Sequence, residues 1–167
     1  MKVGSKVLEI KEYNDKYKED LKDLLVELQD YHATLDEQKI MTNVDNYKEE
    51  YFNLVYNDIK ENEGKIFLAL KDSKVIGLTA CLVDGLPFGH KYVSTCPKRG
   101  RILKLIIKEN ERGQSIGSAL LEKVEDYLKS IDCKYIDIDV FGTNKAGLDF
   151  YLKKGYIIRT YKIIKEI

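Results

Sequence analysis

The sequence has few cysteines, and those it has are far apart. Cys81, Cys96 and Cys133 lack the short spacings of a structural zinc site, and their odd number does not fit a disulfide framework. We therefore predict reduced, mostly buried thiols and no bound metal.

An excess of charge of either sign is also absent, because 28 lysines and arginines balance 28 aspartates and glutamates. This balance argues against a nucleic-acid partner and against an acidic membrane surface as a partner. No segment approaches the roughly 20 apolar residues that a membrane-spanning helix needs, and Met1 to Ser5 lack the apolar core of a signal peptide. We therefore expect a soluble, cytoplasmic protein.

The chain is long enough for one domain with a sizeable core and too short for two, since 44% of its 167 residues are hydrophobic. A single domain over residues 1–167 is expected. Apolar residues alternate in some segments and recur every three to four residues in others, which predicts both strands and amphipathic helices. Strands are predicted over residues 7–13, 65–70, 75–83, 102–107, 134–140 and 156–164, and helices over residues 17–28, 44–59, 116–131 and 144–154.

Two segments lack such patterns. Residues 32–42 have no sustained periodicity, and residues 84–100, which contain several glycines and prolines, are predicted to form a long loop beside the functional site. The remaining order, β-α-α-β-β-β-α-β-α-β, predicts an α/β fold with a mixed, mostly antiparallel central sheet flanked by helices.

A glycine-containing turn lies between the fourth predicted strand and the third predicted helix. It comprises Arg112, Gly113, Gln114, Ser115, Ile116, Gly117 and Ser118. Glycines permit a tight turn and a close approach by a ligand, and the first amides of the helix carry the positive end of its dipole. The turn therefore predicts a site for a phosphate-bearing cofactor. No Lys-Ser or Lys-Thr pair follows the glycines, which argues against a P-loop, and no repeated βαβ pattern supports a dinucleotide fold.

Two motifs together resemble the GNAT superfamily of acyl-CoA-dependent N-acyltransferases. The first motif is an Arg or Gln, two further residues, a Gly, one residue and then a Gly or Ala. It matches Arg112, Ser115 and Gly117, with serine where the family usually has glycine. Serine suits a helix start, and its hydroxyl can donate to a diphosphate, so we expect binding to survive this change. The second motif matches residues 144–156, with Gly147 in place of the usual alanine, at a cost in helix propensity of roughly 1 kcal/mol but none in space.

The resemblance implies the fold above and a site for acetyl-CoA. The strands ending near Ile107 and Val140 would splay apart, with the pantetheine arm between them and a backbone amide near Ile107 polarising the acetyl carbonyl. The residues implied in binding the cofactor are Leu105, Ile106, Ile107, Arg112, Gly113, Gln114, Ser115, Ile116, Gly117, Ser118, Asn144, Phe150 and Tyr151.

The resemblance also implies a general acid, because Tyr151 matches the family's tyrosine that protonates the departing thiolate. The group that deprotonates the amine stays open. Glu109 is one candidate, Asp139 and His90 are others, and a chain of water molecules is a further alternative. No cysteine stands at a motif position that suggests a nucleophile, which favours direct attack in a ternary complex.

We therefore expect an N-acetyltransferase that moves acetyl from acetyl-CoA to a primary amine of a small molecule or peptide, as a monomer or homodimer. The alternative is a binding module that holds acyl-CoA without turnover, as a sensor or regulatory subunit, because a fold does not determine a function.

Overall fold

The computed structural model of the protein describes residues 8–41, 47–84 and 98–167. Its helices and strands follow the predicted order as far as α4, with one additional 3-10 turn before α1 and another after β4. In chain order they are β1 (Leu8–Glu12), α1 (Lys18–Leu35), α2 (Lys48–Glu61), β2 (Lys65–Lys71), β3 (Lys74–Asp84), β4 (Arg99–Ile107), α3 (Ile116–Ser130), β5 (Tyr135–Asp137) and α4 (Lys145–Lys153).

The five strands form one sheet in the order β1-β2-β3-β4-β5. The first three pairings are antiparallel, and β4 pairs with β5 in parallel. The hairpin between β2 and β3 turns at Asp72 and Ser73, which both have positive φ angles, as the tight turns that suit twisted strands require. The predicted mixed, mostly antiparallel sheet is confirmed.

The helices cover both faces of this sheet because β2 alternates its buried side chains between them. Ile66, Leu68 and Leu70 pack with the leucines of α1 and the apolar face of α2. Ala69 and the half-buried Phe67 face the other way, toward α3. Each buried leucine or isoleucine contributes roughly 1.5–3 kcal/mol to this core.

Helix α1 is longer than predicted. Its apolar pattern was expected to end at Leu28, but the helix continues to Leu35 and closes where the Asp36 amide donates to the His32 carbonyl. None of residues 29–35, the last two turns, is buried, so they lack the purely apolar periodicity of the first turns. Tyr31 and His32 therefore lie on a helix rather than in a loop.

The last predicted strand, over residues 156–164, is not formed. Within the described part of the chain, no regular structure follows α4, and residues 157–167 are all exposed. The fifth strand is also shorter than its predicted span of 134–140, because only Tyr135–Asp137 pair with β4. Strand propensity alone does not form a strand, since its amide and carbonyl groups need a partner strand.

The loop predicted over residues 84–100 is shorter at both ends, because the neighbouring strands extend into it. Asp84 ends β3, and Arg99 and Gly100 already belong to β4. Residues 85–97, with His90 and Cys96, lie outside the described residues, as do the predicted starts of β1 at Val7 and of α2 at Val44. None of the helices in the described ranges is long and apolar enough to cross a membrane.

Candidate active site

A cleft opens where β4 and β5 separate. The two strands pair only from Arg99–Tyr135 to Arg101–Asp137 in the described residues, although β4 continues to Ile107. Beyond that point β4 and the segment that follows β5 diverge around a cavity of about 440 Å³. One wall is the second half of β4, and the other is the segment from Ile138 to Phe141. This is the splayed arrangement that the resemblance implies.

A β-bulge lies in β4 beside the cleft. Ala80 of β3 pairs with Lys104 while Cys81 pairs with Ile102, so Leu103 is an extra residue on β4. Bulges increase the local twist and bend the strand that carries them. The bulge thus accounts for the divergence of β4 from β5 and marks where the strand begins to line the cleft.

The amino end of α3 closes one end of the cleft. Arg112, Gly113 and the residues from Ser115 to Ser118 line it. Gly113 has a φ of 79° and Ser115 a φ of 61°, so the turn uses two left-handed residues to direct the first amides of α3. Gln114 does not belong to the described lining, because its amide group bonds Lys71 and Glu111 instead.

Arg112 ties this turn to the end of β4 and to α1. Its Nε donates to the Ile107 carbonyl at 3.1 Å, and its guanidinium carbon lies 5.7 Å from the centroid of the Tyr31 ring. A delocalised guanidinium stacks well on an aromatic face. Arg112 therefore holds the strand end, the glycine turn and the helix in one arrangement.

Ser115 occupies a position that favours glycine. It is the N-cap of α3, but its hydroxyl makes no capping hydrogen bond with any described residue. The expected advantage of serine at a helix start is therefore not realised, because the left-handed backbone turns the side chain away from the geometry of an ordinary cap. A left-handed conformation costs an L-residue about 1–2 kcal/mol.

We expect Ser115→Gly to increase the free energy of unfolding by roughly 0.5–1 kcal/mol, since the relief of strain exceeds the extra freedom of glycine in the unfolded chain. Urea denaturation, monitored by circular dichroism, measures this free energy of unfolding. The matched control is Ser118→Gly inside α3, which should instead destabilise by about 0.5 kcal/mol. Equal effects at the two positions would contradict the assignment of strain to Ser115.

Gly117 lies in the first turn of α3, next to Ile107 of β4 and Phe150 of α4. A Cβ atom placed there would lie 3.5 Å from both Ile107 Cδ1 and Phe150 Cζ, which is ordinary van der Waals contact. Alanine therefore fits, as the family motif allows, whereas a longer side chain must displace Ile107 or Phe150.

Tyr151 stands on α4 and is only 7% exposed. Phe150 and Tyr156 contact its ring edge-on, with centroids 5.1 and 5.5 Å away. Burial raises the pKa of the Tyr151 phenol well above its ordinary value, so it keeps its proton at neutral pH. Tyr151 lines the cleft as a protonated donor.

Asn144 fixes the start of the helix that carries Tyr151. Its Oδ1 accepts from the Gly147 amide at 3.0 Å and from the Tyr31 hydroxyl at 3.4 Å. A Cβ atom at Gly147 would come within 2.6–3.0 Å of the Asn144 side chain. An alanine at position 147 would therefore crowd the Asn144 side chain, and glycine avoids this contact. Our expectation that the exchange of alanine for glycine has no effect on space is wrong.

Four residues that line the cleft are not among the site residues predicted from the sequence. Leu28, Tyr31 and His32 lie on one face of α1 and line the cleft, as does Lys104 of β4. The His32 ring packs against Phe141, with centroids 5.5 Å apart. Burial, reinforced by the positive charge of Lys104, lowers the pKa of His32, so its imidazole is neutral at neutral pH.

Lys104 itself is held by Tyr51 of α2. Its Nζ donates to the Tyr51 hydroxyl at 2.9 Å and lies 5.3 Å from the centroid of that ring. The cleft end that faces α1 therefore contains a neutral imidazole, a fixed ammonium group and aromatic rings.

The other candidate bases are less well placed. Glu109 lies in an exposed 3-10 turn after β4 and is not among the described residues that line the cleft. Asp139 lines the cleft but is exposed, and His90 lies outside the described residues. Leu105, Ile106, Ile107, Asn144 and Phe150 all line the cleft.

Two cysteines, Cys81 and Cys133, lie in the described residues. Burial raises the pKa of Cys81 to about 11, so this thiol is not ionised at neutral pH, and Cys133 is half-buried. The described part of the chain contains no group of three or more His, Cys, Asp or Glu side chains that could hold a metal ion.

Residues 22–156 match the model of the acetyltransferase (GNAT) family. The chain therefore belongs to that family. An uncharacterized N-acetyltransferase of Methanocaldococcus jannaschii is 36% identical over 75 residues, which are 44% of this chain and 48% of that protein. The match thus spans about half the length of this curated relative.

Solved structures share the fold. A structure from Pyrococcus furiosus, described as an acetyl transferase, has a TM-score of 0.74 at 24% identity and covers 96% of this chain and 100% of that one. A structure from Clostridium acetobutylicum, described as a predicted acetyltransferase and solved with acetyl-CoA, has a TM-score of 0.71 at 18% identity and covers 96% of both chains. These likenesses establish the architecture of the sheet and its helices.

Proposed function

We propose that the protein transfers acetyl from acetyl-CoA to a primary amine of a small molecule or peptide, by direct attack in a ternary complex. The observation that carries this proposal is the convergence of three features on one cleft. These are the amino end of α3, the splayed half of β4 and the buried, protonated Tyr151.

The amino end of α3 suits the diphosphate of the donor. Its first amides have no partner within the helix and carry the positive end of the dipole, so they attract an anion. Gly113 adds no side chain to the turn, and a Cβ atom there would meet no described atom within 4 Å. The turn is therefore open at Gly113, beside an Arg112 that is held by the Ile107 carbonyl and the Tyr31 ring.

The splayed half of β4 suits the rest of the donor. Leu105, Ile106 and Ile107 present backbone and apolar surface to the cleft, along which the pantetheine arm would lie. A fixed backbone amide near Ile107 would stabilise negative charge on the acetyl oxygen, because such a donor needs no reorganisation during the reaction.

Tyr151 would complete the transfer. The neutral amine attacks the thioester carbon, the bond from carbon to sulfur breaks, and the Tyr151 hydroxyl gives its proton to the departing thiolate. The proton that the attacking nitrogen loses restores the phenol, directly or through water. The high pKa of Tyr151 keeps the proton available until negative charge develops on sulfur.

We assign His32, rather than Glu109, as the base that removes a proton from the amine acceptor. An amine arrives mostly as an ammonium ion and must lose a proton before it attacks. His32 lines the cleft in its neutral form, while the nearby Lys104 disfavours a second positive charge there. The neutral imidazole accepts the proton from the ammonium ion, and the charge of Lys104 favours its onward release to solvent, which leaves an uncharged amine and a neutral His32.

The proposal is tested by release of free coenzyme A thiol from acetyl-CoA, in the presence of polyamines, aminoglycosides, amino acids and peptides. At least one amine should raise thiol release above the rate without acceptor. Tight binding of CoA without thiol release for any amine would instead support the non-catalytic acyl-CoA-binding module.

The assignment of His32 predicts an acidic limb in the pH profile of kcat/KM. For the amine that gives the highest thiol release, activity should fall as the pH drops through the lowered pKa of His32, below 6.5. His32→Gln should remove this limb and lower the plateau by about 10²-fold or more. Lys104→Met is the control, because loss of the ammonium should move the limb to higher pH. A limb that is unchanged in His32→Gln would exclude His32 as the base.

A further inference from the structure

Lys104 of β4 is a cation in the cleft to which the proposed function gives no ligand. It lines the cleft and is half-buried. No carboxylate of the described residues lies within ion-pair distance of its Nζ, whereas the buried Lys22 and the half-buried Lys71 each pair with a glutamate. A charge that has lost part of its water is costly to hold without a partner. The ammonium group of Lys104 is therefore suited to an anion that enters the cleft.

The hydrogen bonds of Lys104 leave most of its donors available. Its Nζ donates to the Tyr51 hydroxyl at 2.9 Å, and the described part of the chain offers it no second acceptor. An ammonium group has three N–H donors and accepts no hydrogen bond. Two donors are therefore left for a molecule in the cleft.

The position of this ammonium group is fixed at both ends of the side chain. At the backbone, the fully buried Thr79 of β3 donates its hydroxyl to the Lys104 carbonyl at 3.0 Å, beside the β-bulge. At the tip, the Tyr51 hydroxyl that accepts from Nζ donates in turn to Gln29 Oε1 at 3.4 Å. A donor that is already held in place loses less conformational freedom when it binds a ligand.

The other charged side chains of the described cleft lining have different partners. Glu111 pairs with Lys71 at 2.5 Å, and Asp139, on the opposite wall, interacts electrostatically with Arg101. Arg112 belongs to the turn that we propose for the diphosphate. Of the two cations in the described lining, Lys104 is thus the one that remains for the acceptor.

This charge discriminates between classes of amine. An ammonium group binds carboxylate and phosphate oxygens alike, as a compact point charge. It repels the additional ammonium groups of a polyamine or an aminoglycoside. Lys104 also lies near enough to His32 for its charge to act on the imidazole. An acceptor whose amine meets His32 would therefore bring a neighbouring anionic group to Lys104.

We propose that the cleft binds a small amine that also carries a carboxylate or a phosphate group, and that Lys104 binds this anionic group. The shared chemistry is an anionic oxygen that accepts from the two remaining donors of Lys104. Lys104 is then a specificity-determining residue, and Tyr51 is a positioning residue that acts through it. This inference rests on the proposed function, because it narrows the acceptors from amines in general to anionic amines.

Matched pairs of amines test the proposal by binding, without turnover. Leucine and leucinamide, and β-alanine and β-alaninamide, differ in a carboxylate, whereas O-phosphoethanolamine and ethanolamine differ in a phosphate. Each is titrated calorimetrically into the full-length protein saturated with CoA. In at least one pair the anionic member should bind about 10- to 100-fold more tightly, as expected for hydrogen bonds to a charged group. The member without the anion is the less basic amine, so a larger neutral fraction does not explain this preference.

Two variants assign the preference to Lys104. Lys104→Met removes the charge but keeps the length of the side chain, and it should reduce the ratio of the two Kd values to about one. Lys108→Met is the matched control, because it removes a positive charge just beyond the end of β4 at a residue outside the described cleft lining. It should retain the ratio, and circular dichroism should show the same fold for both variants. A ratio near one for every pair in the wild type, or a ratio that survives Lys104→Met, would overturn the proposal.

Thiol release from acetyl-CoA separates this proposal from the proposed function. The anionic member of the preferred pair should also have the lower KM as acceptor, and Lys104→Met should abolish the difference. A ratio of Kd values that depends on Lys104, while no amine raises thiol release, would uphold the anion site and contradict the acetyl transfer. Equal Kd and equal KM for both members of every pair, with thiol release from each, would uphold the transfer and overturn the anion site.

Discussion

Tyr151→Phe is expected to lower kcat by about 10²- to 10⁴-fold, while the Kd of acetyl-CoA stays within a factor of about three. The substitution removes only the hydroxyl that gives a proton to the thiolate. The ring keeps its contacts with Phe150 and Tyr156, so the shape of the cleft is retained. An effect on kcat without an effect on binding is the signature of an interaction made in the transition state.

Tyr156→Phe is the matched control for this experiment. It makes the same chemical change five residues along the chain, but its hydroxyl bonds Glu125 and is not part of the cleft lining. It should lower stability by about 1 kcal/mol and leave kcat nearly unchanged. If Tyr151→Phe retained wild-type turnover, Tyr151 would have no part in proton transfer.

Gly117→Leu is expected to weaken CoA binding by roughly 10- to 100-fold. The first carbon of the side chain already fills the space between Ile107 and Phe150, so the rest of leucine must displace them or enter the cleft. Overpacking of this kind costs about 1–3 kcal/mol, and 1.4 kcal/mol is a factor of ten in Kd.

Gly117→Ala is the control, because its single methyl group makes only ordinary contacts. Calorimetric titration with CoA should give a Kd within about threefold of wild type for alanine and a much larger Kd for leucine. Thermal denaturation of both variants separates a binding defect from unfolding. Wild-type affinity in Gly117→Leu would show that the donor does not lie along this turn.

The end of the cleft at α3, where we propose that the cofactor binds, was predictable from the sequence because it depends on local signals. Arg112 to Ser118 combine an apolar strand, a turn with glycine and an amphipathic helix in one continuous stretch, and the structure forms these elements in that order. Gly155 likewise follows α4 in the left-handed conformation that glycine adopts readily at a helix end. Ser115 shows the limit of such reasoning, since its residue type suggests a cap while its backbone angle determines the outcome.

The acceptor side was not predictable to the same extent, although part of the signal was present. Tyr31, His32 and Leu35 continue the spacing of three and four residues that runs from Leu21 to Leu28. The predicted helix ends before α1 does because Tyr31 and His32 are not typical residues of a buried apolar face. Tyr31 and His32 are half-buried and carry polar groups, so they interrupt the purely apolar pattern.

The strand predicted over residues 156–164 failed for a different reason. Its side chains have the propensity of a strand, but a strand forms only against a neighbour, and the sequence of one chain does not say where that neighbour is. The same is true of residues 138–140.

The central claim is that backbone amides from Arg112 to Ser118 bind the diphosphate of CoA. Amide chemical shifts of ¹⁵N-labelled protein, recorded during titration with CoA and separately with pantetheine, test it most directly. Pantetheine has the thiol arm without the diphosphate. CoA should shift the amides of residues 113–118 strongly, and pantetheine should shift those of β4 near Ile107 while leaving the α3 turn unchanged. Binding of CoA that leaves the amides of the turn unperturbed, or no binding at all, would contradict the account.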